Sequence, residues 1–410
     1  MTCDAKTQTR DLRVDGVSPV YKLGWKPMRV LAALFPRRLC LLYAFAGALL
    51  VAAIGAKACQ ICLGALGVTP GQQLDAAEQA VLAAPVAGET AYRIVEVVKG
   101  TVADRTITAE VLGVDATASR SGAPLLLLRF GPAQRWKSIG AIGAENAGWL
   151  RQLAVLGHVA PVRPKAIWPV TTAQTPSDTT DAQWRERLSL VVPYLEHREP
   201  LASEIAFGDI SRAPYGAIRS LKPQLDAATI AKWIDDPTLA ARRPTYTLLL
   251  GIAGGADDAA RLERRLDAAW RSHDAANLAA MLAADLELRG PSRVDWIEQA
   301  YFADRSRTLP EIDAALLALT VQGGANAAVP RERVIAAFRM FIRERAAMAG
   351  FVALQLADWE CWDATPDYVA LLKSDAVKDP ASHFAVVNYL RRSPHAAARA
   401  SLELIADKSR

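Results

Sequence analysis

The stretch "TYTLLLGIAGGADDAARLERRLDAAW", residues 245–270, shows how the larger part of this chain is built. It opens with an apolar run and then breaks at "GGADD", which supplies residues that can cap a helix. In the segment that follows, Leu262, Leu266 and Ala269 fall on one stripe at helical spacing. The pattern predicts two helices joined by a short turn.

The same scheme recurs twice downstream, in "EIDAALLALTVQGGANAAVPRERVIAAFRMFI" (311–342) and in "SHFAVVNYLRRSPHAAARASLELI" (382–405). Helix pairs of this length without a strict consensus resemble degenerate HEAT repeats, in which each pair buries its apolar face by stacking on its neighbour. The resemblance implies an α-solenoid over residues 184–410. An irregular helical domain is the alternative that these local patterns leave open.

Upstream of the helices the period changes to that of β-strands. "TAYRIVEVVKGTVADRTITAEV", residues 90–111, predicts an antiparallel pair with a turn at "KG" and with Tyr92, Ile94 and Val98 on one face. Further strands are predicted in residues 79–87, 124–130 and 135–142. Five short strands suit a small antiparallel β-barrel.

The strand-and-turn "YRIVEVVKG" and the position of Cys59, just after an apolar segment, resemble netrin-type and metalloproteinase-inhibitor-like modules. This resemblance implies an OB-like β-barrel over residues 59–159. The chain lacks the further cysteines that such modules usually contain, so protease inhibition does not follow from it.

Residues 1–38 carry eight Lys/Arg and three Asp, which accounts for the whole net charge of +5. They precede "LCLLYAFAGALLVAAIGA", residues 39–56, which is 18 residues without a charge. As a helix this run would span roughly 27 Å, near the thickness of the hydrocarbon core of a bilayer. Residues 39–58 therefore predict a signal peptide or a transmembrane anchor, with the chain after them exported.

Two features keep both outcomes open. "AKA", residues 56–58, has the small-residue form of a signal-peptidase site, and a start at Met28 instead of Met1 would give an ordinary signal peptide. The length of the apolar run favours an uncleaved anchor that holds the protein in the inner membrane through residues 39–56. Either outcome places the remaining chain in the periplasm or another extracytoplasmic space.

The patterns along the chain predict the fold class and the order of the segments. The predicted class is α+β and mainly α, with a basic N-terminal segment (1–38), the signal or membrane helix (39–58), the β-barrel (59–159), a proline-rich linker (160–183) and the helical-repeat domain (184–410). The chain after residue 38 has no net charge, so it lacks the basic excess of a nucleic-acid binder. As a whole, this layout resembles a type of bacterial envelope protein, and that resemblance implies no activity.

The cysteine pair Cys59 and Cys62 is open to several interpretations. No βαβ pattern surrounds it, as a thioredoxin-like motif requires, and no further ligands at usable spacing indicate a metal site or any other cofactor. In an oxidising compartment we expect a structural disulfide, either between these two residues or from one of them to Cys361. A thiol-disulfide redox role for the pair is the alternative.

No motif for hydrolysis, phosphate binding or metal catalysis is present in the sequence, and no catalytic residue is predicted. "DWECWD", residues 358–363, places Trp359 and Trp362 three residues apart and hence on one face of a predicted helix. They are core residues between helix pairs or anchors for a partner, since Trp is enriched at interface hot spots. The sequence favours a non-catalytic scaffold that binds an envelope protein through its helical surface.

Overall fold

Residues 61, 68–114, 122–157, 180–374 and 376–408 are described by the computed structural model. The predicted signal or membrane segment, residues 39–58, lies outside them, and so does most of the predicted linker. Among the described helices, none is both long and apolar enough to cross a bilayer. The assignment of residues 39–58 therefore stays a prediction.

Within the described ranges, five strands form one antiparallel sheet in the order β3-β2-β1-β4-β5. Each segment predicted to contain a strand contains one, so the strand predictions are confirmed. Their bounds are β1 Gln79–Pro85, β2 Tyr92–Lys99, β3 Thr106–Ile107, β4 Leu125–Arg129 and β5 Lys137–Ala141.

The predicted closed β-barrel is wrong, because the sheet is open. β3 and β5 lie at opposite edges and do not pair with each other within the described residues. β3 contains only two residues, and the chain leaves the ladder after Ile107. It then forms a single parallel bridge from Leu112 to Lys137 on β5. One bridge does not supply the continuous ladder that closes a barrel.

The predicted faces of β2 also need a correction. Its register against β1 shifts twice, so that Val97 pairs with Val81 and Ile94 pairs with Ala83. Each β-bulge moves the following side chains to the opposite face. As a result, Val97 joins Tyr92 and Ile94 on one face, whereas Val98 packs in the core on the other face.

Sixteen α-helices occupy most of the described chain outside the sheet. A π-helix follows α10 at Glu298–Ala303. The α-helices are α1 Pro70–Ala76, α2 Ala147–Val155, α3 Asp181–Val191, α4 Pro200–Arg212, α5 Tyr215–Arg219, α6 Ala227–Asp235, α7 Arg243–Ala253, α8 Ala256–Ser272, α9 Leu278–Arg289, α10 Arg293–Ile297, α11 Leu309–Gln322, α12 Arg331–Glu344, α13 Ala353–Asp358, α14 Thr365–Lys373, α15 Pro380–Arg392 and α16 Ala396–Lys408.

The three helix pairs predicted from the sequence are confirmed as α7/α8, α11/α12 and α15/α16. The breaks between them lie where Gly or Pro interrupts the helical period. Helices α7, α9 and α11 pack successively against one another, while α6 and α8 pack on α7 and α9. This arrangement buries the uniformly apolar helices in the middle of the body.

The sheet and the helices share one hydrophobic core. Leu82, Leu126 and Leu128 project from one face of the sheet into the same cluster as Leu150 of α2 and Ile205 of α4. The other face forms a smaller cluster of its own around Trp136. The described residues accordingly belong to one compact unit, Ala52–Arg410.

Candidate functional site

The two tryptophans proposed as partner anchors flank a turn and not a helical face. α13 ends at Asp358, and Glu360 has a left-handed backbone with φ of 53°. The prediction of a helix through residues 358–363 is therefore wrong. A left-handed residue is incompatible with a continuing α-helix, so the chain reverses between Trp359 and Trp362.

Trp359 is fixed on three sides by neighbouring groups. Its ring stacks on Phe338 of α12, with centroids 5.8 Å apart and an interplanar angle of 6°. The Arg331 guanidinium lies over the ring, 5.2 Å from its centroid. The ring also approaches Gly323 so closely that a Cβ added there would lie 2.7 Å from Trp359 Cη2. The side chain is half-buried and held in one orientation.

Trp362 packs on a second set of rings, from α15 and α14. Its centroid lies 5.3 Å from that of Tyr389, which in turn lies 4.7 Å from the Tyr368 ring. The Tyr389 hydroxyl donates a hydrogen bond to the Cys361 carbonyl oxygen at 2.8 Å. This bond ties the turn to α15 and keeps Trp362 half-buried.

Cys361 lies between the two tryptophans in the sequence, is half-buried, and forms no disulfide with any described residue. Burial raises the pKa of this thiol above its usual value. Since the thiolate is the reactive form, a raised pKa disfavours nucleophilic chemistry at Cys361 at neutral pH. Cys59 and Cys62 lie outside the described residues, so their disulfide, their pairing with Cys361 and their redox role stay predictions.

Two phenylalanines, on elements that pack against α13, are more exposed than either tryptophan. Phe351 is 40% exposed and Phe384 is 53% exposed. Their segments pack against each other, because the 3-10 helix Ala346–Val352 contacts α15. A Cβ added to Gly350 would lie only 2.4 Å from Ser382 Cα, which shows how close the two backbones are. We refer to Phe351, Trp359, Trp362 and Phe384 as the C-terminal aromatic set.

A buried ionic junction joins α1, α3 and α4, and its residues belong to none of the motifs identified in the sequence. Arg187 Nη1 donates to Asp75 Oδ1 at 3.0 Å, and Arg187 Nε donates to Asp209 Oδ2 at 2.8 Å. Asp209 Oδ1 also accepts from Arg212 at 2.7 Å. The side chains of Arg187, Asp75 and Asp209 are at most 1% exposed.

The sequence does contain a signal for this junction. Arg187 occupies the same helical stripe as the buried Trp184, Leu188 and Val191, and Asp209 lies in the stripe of Ile205. A charged residue in the apolar stripe of one helix predicts an opposite charge nearby, because unpaired charges are rarely buried.

The two carboxylates of the junction compete for one guanidinium. Burial raises the pKa of Asp75 from 3.8 to about 6, and the neighbouring Asp209 charge adds to this effect. Attraction to Arg187 opposes the rise but does not cancel it. For Arg187, the attraction of the two carboxylates outweighs burial and raises the pKa of the guanidinium further. Asp75 is thus a buried acid that holds a proton more tightly than an exposed one.

A second buried carboxylate, Glu311 of α11, has the opposite balance. It accepts hydrogen bonds from the Thr308 N–H at 2.8 Å, the Thr308 hydroxyl at 2.8 Å and Arg307 Nη1 at 2.9 Å. His273 Nδ1 lies 3.1 Å from Glu311 Oε2. Burial alone would raise the pKa of Glu311, but these hydrogen bonds lower it to about 2.

Neither the Asp75–Arg187–Asp209 junction nor the group of residues around Glu311 is placed to hold a metal ion. Among the described residues, no group of three or more His, Cys, Asp or Glu side chains is placed to hold a metal ion. No family model, curated protein or solved structure matches this chain.

Proposed function

We propose that this protein is an exported or membrane-tethered scaffold of the cell envelope, which binds a protein partner through its C-terminal aromatic set. The proposal includes a HEAT-like stacking of the helical body, supported by the successive packing of α7, α9 and α11. The observation that carries it is the exposure of Phe351 and Phe384 on two tightly packed segments.

The aromatic set has the properties of interface anchors. Aromatic side chains bury a large apolar area at a low cost in side-chain entropy. Trp359 and Trp362 are already held by contacts with neighbouring rings, so a partner would not have to order them. The exposed Phe351 and Phe384 provide apolar surface that water does not solvate favourably.

Site-specific photo-crosslinking tests this interaction in the envelope fraction. A photoreactive phenylalanine analogue at position 351 or 384 should give the same partner adduct from both sites. The matched control positions are Leu309, which is 51% exposed, and Val155, which is 76% exposed. Adducts of equal yield at all four positions, or none at 351 and 384, would contradict the proposal.

A substitution provides the quantitative test. Phe384→Ser should weaken partner binding about tenfold or more, as expected for an aromatic hot spot of at least 1.4 kcal/mol. Leu309→Ser removes a similarly exposed apolar side chain outside the set and should leave binding unchanged. Equal losses for the two variants would indicate a general loss of solubility and not a docking site.

Fusion of alkaline phosphatase after residue 408 tests the proposed location, because this reporter is active only where its disulfides form. An active fusion supports an exported body. Fractionation of the same strain distinguishes the two forms, since a membrane-bound product indicates the anchor and a released product indicates cleavage. An inactive fusion with an intact chain would contradict export.

A further inference from the structure

Helix α1 is attached to the rest of the body by close backbone packing and by charge. It is the first described helix after the predicted membrane segment, and it packs against α4. A Cβ added at Gly208 of α4 would lie 2.9 Å from Thr69 Cβ, and one added at Gly71 would lie 2.8 Å from Asp209 Oδ1. The two helices are therefore in direct contact where the ionic junction lies.

Charged groups face Asp75 from α3, α4 and β2, while Gly157, which follows α2, approaches the carboxylate without a charge. Arg187 of α3 contacts it directly. Asp209 of α4 accepts a hydrogen bond from Arg187, and it also accepts one from Arg212. From β2, Lys99 Nζ donates to the Asp75 carbonyl oxygen at 2.7 Å and to the Leu74 carbonyl oxygen at 3.1 Å. The Asp75 side chain has Arg187 as its cationic contact, and this cation is shared with Asp209.

The contact between Asp75 and Arg187 is also imperfect. Asp75 Oδ2 and Arg187 Nη2 are 3.0 Å apart, yet neither atom satisfies hydrogen-bond geometry with any described group. A buried carboxylate with an incompletely bonded oxygen is less well compensated for the loss of its hydration. The neutral acid does not carry this cost, and Arg187 would still pair with Asp209 when Asp75 is protonated.

We propose that Asp75, Arg187 and Asp209 form a pH-responsive clamp, which holds α1 firmly against α3 and α4 when Asp75 is protonated and loosens when Asp75 ionises. This inference is independent of the proposed partner binding. It concerns the connection between the body and the chain that precedes it.

The direction of the response follows from the two states of α1. In the closed state the pKa of Asp75 is about 6, and in an opened, hydrated state it returns to its ordinary value of 3.8. The closed state therefore binds the proton more tightly, so closure is favoured below pH 4 and loses this contribution as the pH rises to about 6. Above about pH 6 the equilibrium between the closed and opened states of α1 no longer changes with pH.

Hydrogen exchange of the full-length chain between pH 4 and pH 7 measures this opening directly. After correction for the intrinsic exchange rate, the opening equilibrium of residues 70–76 should increase about 100-fold over this range, since each pKa unit of difference corresponds to a factor of ten. Peptides from α15, a helix without Asp or Glu, serve as the internal reference and should not show this increase.

Two variants make the test specific. Asp75→Asn keeps the size and removes the titration, so the pH dependence in α1 should disappear. Asp285→Asn changes another buried acid, whose pKa burial also raises, and should leave α1 unchanged. A flat wild-type profile, an unchanged slope in Asp75→Asn, or an equal increase in α15 would each overturn the clamp.

Discussion

Asp75 and Glu311 are both buried carboxylates beside an arginine, but the pKa of Asp75 is raised to about 6 whereas that of Glu311 is lowered to about 2. Burial acts in the same direction on both. The difference lies in the partners, because Glu311 accepts three hydrogen bonds from Arg307 and Thr308, whereas Asp75 shares one arginine with a second carboxylate.

The origin of these partners in the sequence explains the contrast. Thr308 and Arg307, which donate three hydrogen bonds to Glu311, lie three and four residues away in a capping arrangement at the start of α11, so these bonds form with the helix itself and only His273 comes from a distant segment. Arg187 is 112 residues from Asp75 and 22 residues from Asp209, so that junction forms only when three helices meet. A locally capped carboxylate stabilises its helix, while a carboxylate bound across elements depends on their docking.

Removal of Arg187, the cation that Asp75 and Asp209 share, has the largest expected effect on stability. Arg187→Met should lower the free energy of unfolding by about 3–5 kcal/mol, because it leaves the buried Asp75 carboxylate without its contacting cation and Asp209 with Arg212 alone. Chemical denaturation at pH 7 measures the loss. The control is Arg135→Met, which removes an exposed pair with Glu110 and should cost under about 1 kcal/mol. A similar small cost at Arg187 would refute the assigned role of the junction.

On the other side of the comparison, Glu311→Gln should lower the free energy of unfolding by about 2–3 kcal/mol at pH 7. Because the pKa of Glu311 is lowered, the contribution of its carboxylate to stability is complete above pH 4.5 and is lost as the pH falls toward 2. The difference between variant and wild type, measured by denaturation across this range, should therefore shrink in acid. Glu344→Gln, in an exposed pair with Arg305, is the control and should show almost no difference.

Crowding of the contact between α1 and α4 tests the docking separately from the charge. Gly208→Ala should lower the free energy of unfolding by about 1–3 kcal/mol, because the new methyl group overlaps Thr69. Gly148→Ala is the matched control, since a Cβ there meets no atom within 4 Å in helix α2. Alanine should stabilise that exposed helical position by about 0.5–1 kcal/mol. Thermal denaturation of both variants should shift the midpoint in opposite directions.

The variant with the smallest expected effect on stability tests the difference between the pKa of Asp75 and that of Glu311 most directly. Asp75→Asn should raise the free energy of unfolding by about 1 kcal/mol at pH 7, because a neutral group replaces a buried charge whose pKa is raised. The gain should grow as the pH rises from 4 to about 6, in the opposite sense to Glu311→Gln. If Asp75→Asn is less stable than wild type at pH 7 and its deficit shrinks in acid, the raised pKa of Asp75 is wrong.

Much of the secondary structure was predictable because it depends on local patterns. The alternation in residues 79–87, 90–111, 124–130 and 135–142 predicted all five strands. Helical spacing and Gly or Pro breaks predicted three helix pairs. Local patterns failed at "DWECWD", where spacing alone suggested a continuing helix and the left-handed Glu360 ends it. Neither the open edges of the sheet nor the bulges in β2 had a local signal.

Residues that are neighbours in the chain set the positions of strands and helices, the amphipathic stripes and the separation of a basic N-terminal segment from a charge-balanced body, so these features follow from the sequence alone. Three further features appear when distant segments pack: the sheet stays open, it shares a core with the helices, and Asp75 and Asp209 meet at Arg187. These outcomes depend on contacts between distant segments, whose energies come from burial and charge pairing and leave no periodic signature in the sequence.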